Sequence, residues 1–254
     1  MNNGWKFAGV GVLGGASLAI VLILAGTWAG LMPPNPNDAV GDAAIHRYLT
    51  AHPEEIVAMT NALQEQENKQ DEANDRARQK AVNKLGAAAF FDPKVAFVLG
   101  PANAKTTIVE FFDYNCPYCR QSTPAVRQFY ETHRNDTRFA LVEFPIKGPE
   151  STVAARAAIA ARYQPDKYLA FHFMLMAEKE LVYEDLIYAD AAKAGLDVAK
   201  LKADMKDASV DRSIAAAHKL ADKLGINATP TFIINGNVRP GAVDDKTLAQ
   251  MVKG

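Results

Sequence analysis

The chain has 254 residues, of which 49% are hydrophobic and 22% charged. That balance excludes a disordered chain, and a formal net charge of −1 excludes a protein that holds nucleic acid by neutralising phosphates. The length allows one large domain, or one domain with a smaller attachment.

At the N-terminus no charge occurs between Lys6 and Asp38, and FAGVGVLGGASLAIVLILAGTWAG is long enough to cross a bilayer. Two readings compete, an uncleaved anchor and a cleaved secretory signal. The run exceeds a usual signal core, and Thr27-Trp28-Ala29 is a poor cleavage pattern, which favours the anchor. Lys6, with no competing basic cluster beyond it, keeps the N-terminus cytoplasmic. Either reading exports everything after residue 36, which predicts a periplasmic protein, tethered to the inner membrane under the anchor reading and released under the cleaved one.

Residues 33–37 form a proline-rich linker. From Asp42 to Phe90 the pattern predicts two helices interrupted at Ala51-His52-Pro53. Pro53 suits a first helical turn, with Glu54 and Glu55 at the positive end of the second helix. Ile45, Tyr48 and Leu49 give the first helix an apolar stripe, and Ile56, Met59 and Leu63 continue it into the second. From Gln64 to Lys80 the stripe fails, leaving Glu65–Lys69 and Glu72–Arg76 at i, i+4 spacing. A helix polar all round reads as a stalk or connector; the alternative is a surface helix laid on the domain that follows.

Beyond residue 94 the pattern turns to mixed α/β. VAFVLG, TTIVEFF and RFALVEFP predict strands, and PYCRQSTPAVRQFYETHR a helix that Pro124 bends. Residues 150–226 read as several alanine-rich helices. TPTFIINGNVRPG predicts a hairpin turning at Asn235-Gly236, and a last helix starts at Asp244.

The two cysteines, Cys116 and Cys119, lie in EFFDYNCPYCR. Structural zinc needs four ligands, but there is no second cysteine pair and the five histidines are scattered. A permanent staple over so short a loop restrains little of the unfolded chain. A reversible redox pair remains, and no cofactor is expected. A strand feeds into Cys116 and a helix starts after it, with Pro117 in the first helical position, where no amide donor is needed. Free N–H groups and the helix dipole then favour a Cys116 thiolate. Cys119, one turn on and more buried, resolves the mixed disulfide.

TTIVEFFDYNCPYC followed downstream by ATPTFIING resembles the thioredoxin superfamily. The resemblance implies a cis Pro230 after Thr229, in a loop that faces the cysteines and leaves the Thr229 backbone free to pair with a bound peptide. The helical stretch between strand 138–144 and that loop narrows it to a DsbA-type domain over residues 95–254, an α/β thioredoxin fold with an inserted helical domain at about 148–227. YLTAHPEEIVAMTNALQEQ ahead of such a domain resembles the suppressor-of-copper-sensitivity protein C (ScsC) group. That implies an N-terminal oligomerisation segment over 37–94, a homotrimer, and disulfide isomerase activity. Pro-Tyr between the cysteines and Thr before the proline depart from the DsbA oxidase pattern and lean towards an isomerase or reductase.

By the same resemblance Glu110 corresponds to a buried acid beneath the cysteines, relaying a proton to or from Cys119; a water-facing strand acid is the alternative. Tyr118 is expected to be exposed beside Cys116, modulating access. His172, Met174 and Met176 in FHFMLM invite a copper reading, but packing in an apolar helix is the better one. Three functions follow: an exported isomerase or reductase of client proteins, reset by a DsbD/ScsB-like membrane reductase; a monomeric oxidase recharged by a DsbB-like partner; and a tethered module holding Cu(I) for copper tolerance.

Overall fold

A computed structural model describes residues 36–253, so the segment read as an anchor or signal lies outside the described residues. Among these no helix is long and apolar enough to cross a membrane. The described residues fall into two compact units that divide between Asn68 and Lys69.

The first unit holds helix α1 (Pro36–Ala51) and the start of α2 (Pro53–Leu85). The two helices part at His52, where Pro53 has no amide to continue the hydrogen-bond ladder. Ile45, Tyr48, Ile56, Val57, Met59 and Leu63 are 50–61% exposed, so the apolar stripe seen in the sequence faces outward.

In the second unit the polar stretch remains helical, helped by ion pairs from Arg76 to Glu72 (3.3 Å) and from Arg78 to Asp75 (2.7 Å). Its last turns are docked. Arg78 Nε donates to the Gly225 carbonyl (3.0 Å), Gln79 Nε2 donates to the Gly236 carbonyl (2.7 Å), and Val238 N donates to Gln79 Oε1 (3.0 Å). From Arg78 onward the surface-helix alternative therefore describes it. Val82, with Phe90 and Phe91 from the 3₁₀ turn Ala87–Phe91, joins Val109, Phe111 and Val142 in one apolar cluster. Core packing of this unit thus begins ahead of residue 95.

The sheet runs β1-β3-β2-β4-β5: β1 (Phe97–Leu99), β2 (Thr106–Phe112), β3 (Thr137–Glu143), β4 (Thr231–Ile234) and β5 (Asn237–Pro240). β2 and β3 are parallel and joined through α3 (Pro117–His133); the other pairs are antiparallel. All residues of β2 from Ile108 to Phe112 are buried, as a central strand covered on both faces requires. The β4–β5 turn is at Asn235-Gly236, both with positive φ (50° and 82°), the twist-matched turn that this dipeptide favours.

Between β3 and β4 run α4 (Pro149–Ala161), α5 (Pro165–Ala177), α6 (Glu184–Lys193), α7 (Val198–Asp204) and α8 (Ala208–Leu224), and α9 (Asp245–Lys253) follows β5. Alanine lets α4 pack closely on its neighbours: Ala154, Ala157, Ala158, Ala160 and Ala161 are all buried. Where β3 ends, Glu143 is buried and pairs with Arg162, just past α4, while Tyr168 of α5 donates to Glu143 Oε1 (2.7 Å). This polar knot ties the inserted helices to the sheet.

Candidate active site

β2 ends at Phe112, and the chain turns through Asp113, Tyr114 and Asn115 into Cys116. Cys116 has extended backbone (φ −84°, ψ 117°) and caps α3, with Pro117 opening the helix. The chain is held there by Asp113, whose carboxylate accepts from Asn115 N (2.7 Å), Ile146 N (2.7 Å) and Lys147 N (2.9 Å), while its carbonyl accepts from Cys116 N (3.0 Å). Four acceptor contacts from one buried residue leave this turn little freedom.

Both cysteines are free thiols with no exposed surface, whereas the sequence predicts only Cys119 as the more buried. The reason is the loop before β4. The Thr229–Pro230 peptide bond is cis, and Cys116 Sγ donates to the Thr229 carbonyl at 3.1 Å, which covers the sulfur. Pro117 is exposed, and Tyr118 is 60% exposed beside the pair.

The two thiols are driven apart in acidity. Cys116 is lowered from 9.0 to about 5, most of all by a hydrogen bond from the Cys119 thiol; burial opposes this, and the N–H groups of Cys119 and Tyr118 add to the lowering. Both amides lie in the first helical turn, that of Cys119 also reaching the Cys116 carbonyl (3.1 Å). The Thr229 side chain lowers the Cys116 thiol further, whereas the Thr229 carbonyl, which accepts from the protonated thiol, acts in the opposite sense. Cys119 is pushed up by burial and by its role as donor to Cys116. Cys119→Ser, which keeps a donor, is expected to leave a Cys116 thiolate down to about pH 5, whereas Cys119→Ala should make Cys116 a roughly tenfold weaker acid, the worth of one hydrogen bond to a charge. Thiolate ultraviolet absorbance against pH checks both; identical curves would show that the Cys119 donor does not matter.

Glu110 is 3% exposed, with Leu141 and Phe232 as its neighbours across the sheet. Its carboxyl is raised from 4.5 to about 8, first by burial and then by the Cys116 charge. Of the two sequence readings, the structure has the buried acid. An acid of that strength beside a thiol that resists ionising can exchange a proton near neutral pH.

Several neighbours of the cysteines carry no sequence signal of their own. The Tyr114 hydroxyl lies 3.0 Å from His172 Nδ1, and burial lowers His172 to about 3, so the ring is neutral. Arg120 Nε donates to the Tyr114 carbonyl (2.9 Å) and Nη2 to Asn115 Oδ1 (3.1 Å). His172 and Met176 are buried in α5, and among the described residues no group of three or more His, Cys, Asp or Glu side chains could hold a metal ion.

A family model described as thioredoxin matches residues 92–254. A thioredoxin-like oxidoreductase from Silicibacter pomeroyi DSS-3 is 40% identical, with a TM-score of 0.61 over 66% of this chain and 96% of that one. The Proteus mirabilis ScsC linker-deletion and N6K mutant is 26% identical, with a TM-score of 0.63 over 87% of this chain and 95% of that one. Curated relatives include the Na(+)/H(+) antiporter NhaA of Herminiimonas arsenicoxydans, 30% identical over 162 residues that make up 64% of this chain and 26% of the antiporter. The chain thus spans about a quarter of the length of the curated relatives it matches. With its cysteines at the head of α3, a facing cis-proline loop and five helices between β3 and β4, the chain belongs to the thioredoxin family as a DsbA-type member similar to ScsC.

Proposed function

We propose that this protein is an exported thiol–disulfide oxidoreductase that works mainly as an isomerase or reductase of client proteins in the periplasm. The observation that carries the reading is the acidic Cys116 thiol at the head of α3, facing the cis Thr229–Pro230 loop. The Cys116 thiolate attacks one sulfur of a client disulfide, the other client sulfur leaves as a thiolate, and a mixed disulfide joins client to Cys116. For isomerisation the released client thiolate attacks a different client disulfide. A client thiolate finally returns to displace Cys116 as a thiolate, with no net change in oxidation. For reduction Cys119 passes its proton to Glu110 and attacks the Cys116 sulfur. The client departs reduced and Cys116–Cys119 is left as a disulfide, which a dithiol membrane partner of the DsbD/ScsB type reduces again. The Thr229 loop covers the sulfur and the exposed Tyr118 follows Cys116 by two residues, so both regulate which clients reach it.

Support for a homotrimer comes from the exposed series Ile45, Tyr48, Ile56, Val57, Met59 and Leu63. An outward stripe of this size invites burial against copies of itself, and several thiolates around one client would raise the chance of repeated attack. The test compares residues 36–254 with residues 69–254; a cut at 95 would strip Val82, Phe90 and Phe91 from the core. Light scattering is expected to give a trimer for the longer chain and a monomer for the shorter. Recovery of a scrambled disulfide substrate should fall by about tenfold or more on truncation, while simple reduction of a small disulfide persists. A monomeric long chain, or equal isomerisation by both, would favour the monomeric oxidase with a DsbB-like partner. Copper retention lost in a double Cys→Ser variant would favour the Cu(I) module.

A further inference from the structure

Three residues lead from β2 into Cys116, and they are anchored in two different places. Asp113 is held within the thioredoxin core, by the amides of Ile146 and Lys147. Tyr114 and Asn115 instead reach into the inserted helices. The Tyr114 side chain is 1% exposed, its hydroxyl meets His172 of α5, and its ring stands edge-on to Phe112 with centroids 5.1 Å apart. Asn115 Oδ1 accepts from the amide of Val182 (2.7 Å), in the segment between α5 and α6. Arg120, one turn beyond Cys116, clasps the two together by donating to the Tyr114 carbonyl and to Asn115 Oδ1. These two donors into Oδ1 fix the orientation of the Asn115 amide.

We propose that the inserted helices set the reactivity of Cys116, acting through Tyr114 and Asn115 as positioning residues. This rests on the reading of Cys116 as the attacking thiolate. The thiolate is stabilised by directional donors in the first turn of α3, and such bonds weaken steeply when misaligned. Their alignment depends on how the chain runs into the helix, and two of the three residues that decide this are held from the insertion. Tyr114 and His172 are buried and Asn115 and Arg120 half-buried, and the bonds from Arg120 and Val182 to this turn restrict how it can shift. On this view the insertion acts on the chemistry itself, in addition to covering the site.

Thiolate absorbance is titrated for Cys119→Ser as parent and for the same chain carrying Tyr114→Phe, Asn115→Ala, His172→Leu or His172→Asn, with thermal unfolding followed in parallel. The full redox pair carrying each change is also equilibrated with glutathione. Tyr114→Phe, Asn115→Ala and His172→Leu are each expected to make Cys116 about fivefold weaker as an acid, the effect of roughly one hydrogen bond, and to move the glutathione equilibrium by a similar factor. His172→Asn places an amide near the Nδ1 position and should restore most of the parent value. If the folded variants lose thermal stability but keep the parent's acidity and equilibrium constant, the contacts are structural only and the proposal fails. An ordinary thiol titration in the parent would overturn both the proposal and the reading beneath it. If His172→Leu does not fold, Tyr114→Phe, which removes one oxygen atom, decides the question.

Discussion

Cys116→Ser is expected to lower disulfide exchange by at least about three orders of magnitude, since removing the nucleophile of a working site can cost about a millionfold. A serine hydroxyl does not ionise near neutral pH, whereas the Cys116 thiol is lowered to about 5, so the thiolate is nearly fully formed there. Cys119→Ser should behave differently. It keeps the attacking sulfur and a hydrogen-bond donor but has no second sulfur to resolve the mixed disulfide. The expected result is rapid attack followed by a trapped adduct whose mass is that of protein plus client. The two variants, mixed with the same disulfide-bonded client, separate the roles by mass spectrometry under non-reducing conditions. If Cys116→Ser forms the adduct and Cys119→Ser does not, the roles of the two cysteines are reversed.

The second large effect falls on stability. Arg162→Met is expected to cost about 3–5 kcal/mol, the range for removing one partner of a buried ion pair. Glu143 is 1% exposed and accepts from Tyr168 as well as from Arg162. Burial alone would weaken the Arg162 charge, but the Glu143 carboxylate outweighs it and holds the guanidinium firmly protonated. Removing the cation leaves a carboxylate with no counter-charge in the layer between sheet and inserted helices. The double variant Glu143→Gln with Arg162→Met should recover much of the loss, because neither charge is then left alone. Urea unfolding monitored by far-ultraviolet circular dichroism checks both. A loss below about 1 kcal/mol for the single variant would mean that water reaches Glu143 and the knot does not hold the insertion.

Much of the fold was legible because it depends on local pattern. β-branched and aromatic runs marked the strands, Asn235-Gly236 marked the hairpin turn, and Pro53 and Pro117 marked helix starts, each through a constraint carried by the residue itself. The polar stretch was less legible. Gln64–Lys80 has no apolar face, and its docking from Arg78 onward uses side-chain bonds to the backbone at Gly225, Gly236 and Val238, distant segments that hydrophobic periodicity does not reveal.

The amino-acid sequence by itself determined where the candidate site lies: two cysteines spaced by one turn, a proline between them that permits a helix start, and a downstream Thr229-Pro230 that together resemble one superfamily. These are properties of residue type and spacing, and they do not depend on how the chain folds. Tertiary structure decided whether Glu110 faces inward, because a strand acid among apolar neighbours can point either way until the sheet is covered. It also decided that Cys116 is buried under the Thr229 carbonyl, and that Tyr114, Asn115, Arg120 and His172 form one cluster. Those outcomes rest on contacts between residues as far apart as 116 and 229 or 114 and 172. Hydrogen-bond strength and the cost of burying a charge depend on where such distant groups finally lie, and only the folded chain brings them together.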